Sequence, residues 1–345
     1  MTKVYVGMSG GVDSSLTAAL LVEQGYDVVG VYMKNWTQDL PGMKCPWADD
    51  LADAKRVAVQ LGIDFKVFDF ENEYRHKVVE YMIDEYKLGR TPNPDIMCNQ
   101  EVKFKLFLEA ALADGADMIA TGHYARVDDG ILKMAVDQNK DQTYFLYRVT
   151  GETLQKTLFP LGEFTKPHVR EMAKERRLFT AAKKDSQGIC FVGKVGIREF
   201  LSQYVQQKPG EIIDKSSGKV LGHHDGAIFY TLGQRHGLEL GGGLPFYVVG
   251  KDMTKNEVYV TTDLNDETLW KETVFLGAVH WINGMPAENR YSIRVRHRAK
   301  LVDATLRYED KNVTLTLDNA ERAVASGQSV VIYDGDICLG GGIII

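Results

Sequence analysis

Three short stretches of this chain carry residue types that could do chemistry. The first is Ser9-Gly10-Gly11-Val12-Asp13-Ser14-Ser15, set between the apolar run ending in Gly7-Met8 and an apolar helix pattern. A Gly- and Ser-rich turn from strand to helix aims several backbone N–H groups and the positive end of the helix at one anion, and its hydroxyls add donors. That layout suits phosphate. The lysine of the G-x-x-x-x-G-K-[ST] loop is absent, so this is not a Walker A turn. The same residues also suit a plain connector with Asp13 or Ser14 as helix cap. Placement at the first βα turn, where doubly wound sheets bind ligands, favours the phosphate reading.

The second stretch is the Pro-punctuated loop Gly89-Arg90-Thr91-Pro92-Asn93-Pro94-Asp95-Ile96-Met97-Cys98, leading into a helix expected to begin near Asn99-Gln100-Glu101. A thiol at that N-terminus would have its thiolate stabilised by free N–H groups, lowering its pKa from about 8.5. Asp95, three residues earlier, suits either proton transfer or helix capping. In the third stretch, Lys183-Lys184-Asp185-Ser186-Gln187-Gly188-Ile189-Cys190-Phe191, two lysines and a glycine precede the thiol. Nearby cations also favour thiolate. A lone cysteine is usually a small buried hydrophobe, the reading adopted for Cys45 beside Pro46-Trp47 and for Cys338 inside a strand pattern.

Repeated βα units must position these groups. Strand patterns at Val4–Met8, Val28–Met33, Phe65–Phe70 and Met118–Thr121 alternate with helical patterns through Leu16, Ala19, Leu20 and Val22, around Leu51–Leu61, and through Phe104, Phe107, Leu108 and Leu112. Near-continuous apolar strands separated by helices predict an open parallel sheet covered on both faces, with ligand at the carboxyl ends of the strands. Met33 and Gly122 lie at such ends, where each suits either an adenine pocket or ordinary packing. Near Lys208-Pro209-Gly210 the pattern changes to short strands and tight turns, and from Val274 onward to alternating strands. The expected fold is α/β, a doubly wound parallel sheet over residues 1–194, a small β-rich central domain over 195–263, and a C-terminal β-barrel over 264–345.

Composition narrows the function classes. The chain has 345 residues, more than one typical core holds, with 44% hydrophobic and 26% charged residues. No apolar run approaches the roughly 18 residues of a membrane span, so a cytoplasmic protein is expected. Four scattered cysteines without C-x-x-C favour neither a zinc knuckle nor a disulfide framework. A net charge of −6 argues against nonspecific nucleic-acid binding, yet Arg294, Arg296, Arg298 and Lys300 alternate as one basic face of an expected strand.

SGGVDS resembles the pyrophosphate loop of the ATP pyrophosphatases, which cleave ATP to AMP and pyrophosphate. The strings SGGVDSS, GVYMKNW, GRTPNPDIMCN, ATGHYAR, KDQTYFLY, KKDSQGICF, YTLGQRHGL and DGDICLGGGII occur in the order found in the tRNA-specific 2-thiouridylases, the MnmA family. Together they cover essentially the whole chain. The resemblance implies an enzyme that uses ATP and magnesium to put sulfur on the wobble uridine of certain tRNAs. It implies ATP at Gly7, Met8, Ser9, Gly10, Gly11, Val12, Asp13, Ser14, Met33 and Gly122. Asp13, beside the pyrophosphate, suits magnesium.

The family pattern makes Cys190 the persulfide carrier, Cys98 a second thiol able to form a disulfide with it, and Asp95 the acid/base carboxylate. It places the target base at Asn93, Pro94 and Asp95, and other tRNA contacts at His123, Asp141, Gln142, Thr143, Arg296, His297 and Gln328. The implied partners are a tRNA with a modifiable wobble uridine and a sulfur donor protein, either a cysteine desulfurase or a sulfur carrier. One departure stands out. Gly241-Gly242-Gly243 passes directly to Leu244-Pro245-Phe246, where some family members carry an insertion. Competing readings are another adenylating ligase or amidotransferase, and an RNA-binding protein that holds ATP without cleaving it.

Overall fold

The structure, a computed structural model, describes residues 1–39, 44–184, 196–241, 243–309 and 312–345. Cys190 and the rest of 185–195 lie outside the described residues, as does Gly242. The first domain is built on strands β1 (Lys3–Gly7), β2 (Asp27–Lys34), β3 (Asp64–Asp69) and β4 (Met118–Thr121). A hairpin of β5 (Arg126–Asp128) and β6 (Ile131–Lys133) follows, then β7 (Thr157–Leu158). The sheet order is β3-β2-β1-β4-β7, and every pairing is parallel. Alternate residues of one strand feed two cores: Val4 and Val6 pack with Ala18, Leu21 and Val57, whereas Tyr5 packs with Val29, Val31 and Phe107. Burial on both faces is why the runs are continuously apolar.

Helices α1 (Val12–Glu23) and α2 (Trp47–Leu61) supply the first of those cores. The second is supplied by two rods. One runs through α3 (Glu71–Tyr74), a wide-turned segment Arg75–Glu80, and α4 (Tyr81–Lys87). The other runs through α5 (Pro94–Met97), a second wide-turned segment Cys98–Leu106, and α6 (Phe107–Ala113). This rod starts at Pro94 and not near Asn99, which corrects the sequence expectation. The Asn93 side chain accepts the Asp95 N–H at 3.2 Å and proline takes the first helical position, so Asn-Pro here is a start signal and not loop punctuation. Asn93, not Asp95, is therefore the cap.

Four short helices follow, α7 (Thr143–Leu146), α8 (Gly151–Gln155), α9 (Lys166–Glu175) and α10 (Ile197–Leu201). The small sheet comprises β8 (Gly210–Asp214), β9 (Val220–His224), β10 (Tyr247–Asp252) and β11 (Glu257–Thr261), in the order β10-β11-β8-β9 around Ile212, Val248, Val258 and Val260. The last six strands are β12 (Trp270–Trp281), β13 (Arg290–Arg294), β14 (Val302–Glu309), β15 (Asn312–Arg322), β16 (Ser329–Asp334) and β17 (Ile337–Ile344). They pair antiparallel in the order β12-β15-β14-β13-β16-β17, and β12 pairs back onto β17 to close the barrel. Closure removes both edges.

The basic stripe does not form. β13 ends at Arg294, the chain bends over 295–298, and Arg298 has φ +62°, so Arg296, Arg298 and Lys300 are exposed on a turn while Arg294 points inward. The inward pull comes from the first domain. Arg294 Nη1 lies 2.9 Å from Asp141 Oδ2, and Asp141 also accepts from the Thr143 hydroxyl at 2.8 Å and the Ala135 N–H at 3.0 Å. Tyr144 and Tyr147 extend this latch to Ser329 of the barrel, at 2.9 and 3.1 Å. Removing one partner of a buried pair leaves an uncompensated charge, so Arg294→Met should cost about 3–5 kcal/mol in denaturant unfolding. Asp141→Asn in the same chain should recover most of that loss. A single-variant loss under about 1 kcal/mol, the size of a surface pair, would show that the latch is not desolvated.

Candidate active site

The loop after β1 is pinned at both ends and leaves backbone donors between them. Met8 N–H bonds Val31 O at 2.8 Å and Ser9 N–H bonds Ser14 Oγ at 3.1 Å, fixing both ends of the turn. Gly10 has φ +72°, and a Cβ there would lie 2.4 Å from the Asp50 carbonyl oxygen, so the turn is closed to any side chain at that position. The cap of α1 is Gly11, without a side-chain bond; Asp13 and Ser14 lie inside the first turn and do not cap it. The N–H groups of Gly11, Val12 and Asp13 have no acceptor among the described residues. Such a cradle of donors can hold phosphate oxygens. The side chains of Met8 and Val12 are buried, so these two residues offer backbone only.

The chain reverses direction across the sheet between β1 and β4, and the residue after β4 meets this loop. A Cβ on Gly122 would lie 2.8 Å from the Ser14 nitrogen and 2.9 Å from the Asp13 carbonyl carbon, so only glycine lets the β4 turn close on the first turn of α1. Met33, half-buried at the end of β2, lays its methyl over Gly7. Both therefore border the cradle.

Asp13 is not left to solvent. Lys166, at the start of α9, places Nζ 2.7 Å from both carboxylate oxygens, and the Tyr124 hydroxyl donates to Oδ1 at 2.9 Å. Sequence reasoning missed Lys166, because no periodicity or motif links it to a loop 153 positions away. Tyr124 stood in the ATGHYAR string, two residues past Gly122. Among the described residues no three metal-ligating side chains cluster. A divalent ion here would rest on Asp13 and on phosphate oxygens, the usual habit of magnesium, once the ammonium moves away.

Cys98 and Asp95 lie on the rod packed against β1 and β4. Cys98 is buried, one turn inside the helix, and its N–H is bonded to the carbonyls of Pro94 and Asp95. The free N–H groups expected to stabilise its thiolate thus belong to the turn before it. Asp95 is half-buried, its carboxylate accepts no hydrogen bond among the described residues, and burial raises its pKa against the opposing charge of Lys103. Lys103 also acts on His123, whose burial, helped by that charge, holds the imidazole well below its usual range and therefore neutral. His123 Nδ1 lies 2.8 Å from the Thr121 hydroxyl, and its ring lies 5.5 Å from Phe104 of the Cys98 rod. No motif or spacing in the chain singled out Lys103.

Burial acts in the same direction on two other cysteines. Burial pushes the Cys45 thiol up and the Cys338 thiol far up. Lys183, one of the two lysines expected to favour the Cys190 thiolate, is paired with Asp50 at 2.8 Å and Asp53 at 2.7 Å on α2.

The remaining tRNA candidates divide by exposure. The carboxylate of Asp141 and the hydroxyl of Thr143 are buried in the latch, and Gln142 Oε1 accepts the Tyr124 N–H at 2.8 Å. Gln328 Nε2 donates to the Thr91 carbonyl at 2.7 Å, on the loop that leads to Asn93 and Pro94. His297 packs against Phe145 with ring centroids 4.4 Å apart and planes tilted by 45°, and burial, followed by Arg298 and Arg294, lowers its pKa to about 4. Arg296 remains exposed.

A parallel sheet with a lysine-free, N–H-lined turn at its switch point defines a nucleotide-binding protein of the pyrophosphatase-loop kind. Residues 2–194 match the tRNA methyl transferase HUP domain, residues 198–262 the tRNA methyl transferase PRC-barrel domain, and residues 271–344 the aminomethyltransferase beta-barrel domain. The chain is 50% identical over 348 aligned residues to the tRNA-specific 2-thiouridylase MnmA of Bacillus cereus, covering 99% of this chain and 94% of the relative. It is 49% identical, with the same coverage, to that of Bacillus cytotoxicus. The chain belongs to the tRNA-specific 2-thiouridylase family. Among solved structures, the U34-tRNA thiolase NcsA of Methanococcus maripaludis aligns with 59% of this chain and 65% of its own at 18% identity and TM-score 0.39, too distant to bear on function.

Proposed function

We propose that this protein is a tRNA-uridine 2-sulfurtransferase that activates the wobble uridine with ATP and replaces its C2 oxygen by sulfur from a cysteine persulfide. The observation that carries the reading is a pairing within one chain of this family. An open N–H cradle lies at the switch point, and on the neighbouring rod a desolvated carboxylate lies one turn before a cysteine. The proposed units are residues 1–194 for catalysis, 195–263 for the central domain and 264–345 for the barrel, working in the cytoplasm. No described helix is long and apolar enough to cross a membrane.

The uridine C2 oxygen is a poor leaving group. Its attack on the α-phosphorus of ATP expels pyrophosphate into the Ser9–Ser14 cradle, next to Met33 and Gly122, and leaves an O-adenylated base. Asp95 takes up the uracil proton as that oxygen becomes nucleophilic and can return it later. Magnesium held by Asp13 would neutralise charge on the phosphates. The terminal sulfur of a Cys190 persulfide then attacks C2 and AMP departs with the oxygen. Cys98 thiolate attacks the Cys190 sulfur, which forms a Cys98–Cys190 disulfide and frees the thiocarbonyl. An external thiol must reduce the disulfide, and a cysteine desulfurase or sulfur carrier must reload Cys190.

The base itself is proposed to meet Asn93, Pro94 and Asp95, since a single-stranded anticodon base can be splayed into a pocket. His123, Asp141, Gln142 and Thr143 would act by shaping the contact surface, with Arg296, His297 and Gln328 nearer the RNA. The two barrel residues should behave differently. Arg296→Ala should weaken tRNA binding and reduce the slope of log affinity against log salt by roughly 0.7–0.9. His297→Ala should weaken binding without changing the slope, because an imidazole with its pKa lowered to about 4 is uncharged at neutral pH. Equal slopes for wild type and Arg296→Ala would remove Arg296 from the phosphate contacts.

The defining experiment is mass analysis of tRNA nucleosides after reaction with protein, ATP, magnesium and a persulfide donor, with nucleotide products measured alongside. The expected result is 2-thiouridine with AMP and pyrophosphate in equal amounts. ADP and phosphate, or unmodified tRNA, would overturn the reading.

A further inference from the structure

We propose that Lys166 is the cation of the pyrophosphate loop: it holds Asp13 before nucleotide binds and transfers to the phosphates when they arrive. This rests on the phosphate reading of the loop and names a further residue for it. Lys166 is only 8% exposed, yet its ammonium reaches the first turn of α1 and lies 2.7 Å from each Asp13 carboxylate oxygen. Its backbone is fixed separately, by a bond from its N–H to Asp137 Oδ2 at 2.9 Å, so the side chain can swing without α9 moving.

Charge makes the exchange favourable. A polyphosphate arriving at the cradle sets several negative charges beside Asp13, on a loop that carries no lysine of its own. Lys166 supplies in space what the sequence of the loop lacks. The same move vacates the Asp13 oxygens for a divalent ion, so one ammonium neutralises the carboxylate in the empty state and phosphate in the filled state. The Tyr124 hydroxyl on Oδ1 keeps the carboxylate oriented while the ammonium leaves. Tyr124 also presents its ring to that ammonium, 5.6 Å from the centroid, on the side of α9.

The test is calorimetric binding of inorganic pyrophosphate to the full chain, with magnesium and with chelator, in a cycle of Lys166→Met, Asp13→Asn and both together. In chelator, Asp13→Asn should bind pyrophosphate at least as tightly as wild type, because its lysine has lost the competing carboxylate. The double variant should bind roughly 10- to 100-fold more weakly than Asp13→Asn alone, the loss of one charge-assisted contact. If Lys166 merely neutralises Asp13, these two variants bind alike, and the proposal is wrong. Cooperative melting of each variant confirms that the fold is intact, and Lys166→Arg, which keeps a positive charge, should retain most of the affinity. Pyrophosphate binding is read without tRNA or sulfur. A protein that fails to thiolate tRNA but shows the Lys166-dependent difference would refute the sulfurtransferase reading and leave this one standing.

Discussion

Cys98→Ala and Cys190→Ala should each abolish tRNA thiolation, a loss on the order of a thousand-fold or more, because in the proposed mechanism Cys190 carries the transferred sulfur and Cys98 releases it by attacking the Cys190 sulfur. Cys45→Ala and Cys338→Ala should keep full activity. The contrast has a physical basis in three of the four residues. Cys45 and Cys338 sit in apolar packing that raises their thiols, and a protonated thiol is a poor nucleophile. Cys98 is buried too, but it stands one turn after Asp95 on the rod that packs against the sheet, next to the carboxylate proposed to serve the base. Pyrophosphate binding should survive in both inactive variants, since neither thiol belongs to the cradle. Thiolation by either variant at the wild-type rate would refute the two-thiol mechanism.

Asp95→Asn should lower the thiolation rate by about 10²–10⁴, the range of general acid–base catalysis, and should also make the protein more stable at neutral pH. Burial raises the Asp95 pKa in the folded protein above the ordinary aspartate value of 3.8. Between those two pKa values the folded state binds more protons than the unfolded state, so stability falls as pH rises through the window. Below 3.8 the carboxyl is protonated in both states and the penalty vanishes. At pH 7 the wild type carries the whole cost of a desolvated carboxylate, and asparagine removes it. Denaturant midpoints of both proteins at pH 4 and pH 7 check the sign: the advantage of Asp95→Asn should be larger at pH 7. An inactive variant with unchanged or reduced stability at neutral pH would mean that Asp95 has partners when folded and is not a poised carboxylate. A fully active variant would remove it from the chemistry.

The order of the elements was legible in the sequence because it rests on local patterns. Continuous apolar strands between helices encode burial on both faces, and Val4, Val6 and Tyr5 divide between two cores as that pattern demands. The loop at Ser9–Ser14 was legible for the same reason, since its glycines answer to backbone sterics within a few residues. A start signal at Asn93-Pro94 was present too, though read as a loop: proline marks the first turn of a helix as well as a break. What the sequence could not contain was any pairing that closes through space. Lys166 on Asp13 and Arg294 on Asp141 each join positions 153 apart, and Gln328 on Thr91 spans 237. The strand expected to carry four basic residues on one face ends at Arg294 because a buried carboxylate in another domain draws that side chain inward. Local sterics and periodicity fixed which groups exist and on which element each stands. Only the packed domains, by removing water from some charges and leaving others exposed, decided which are paired, which are neutral, and which remain able to react.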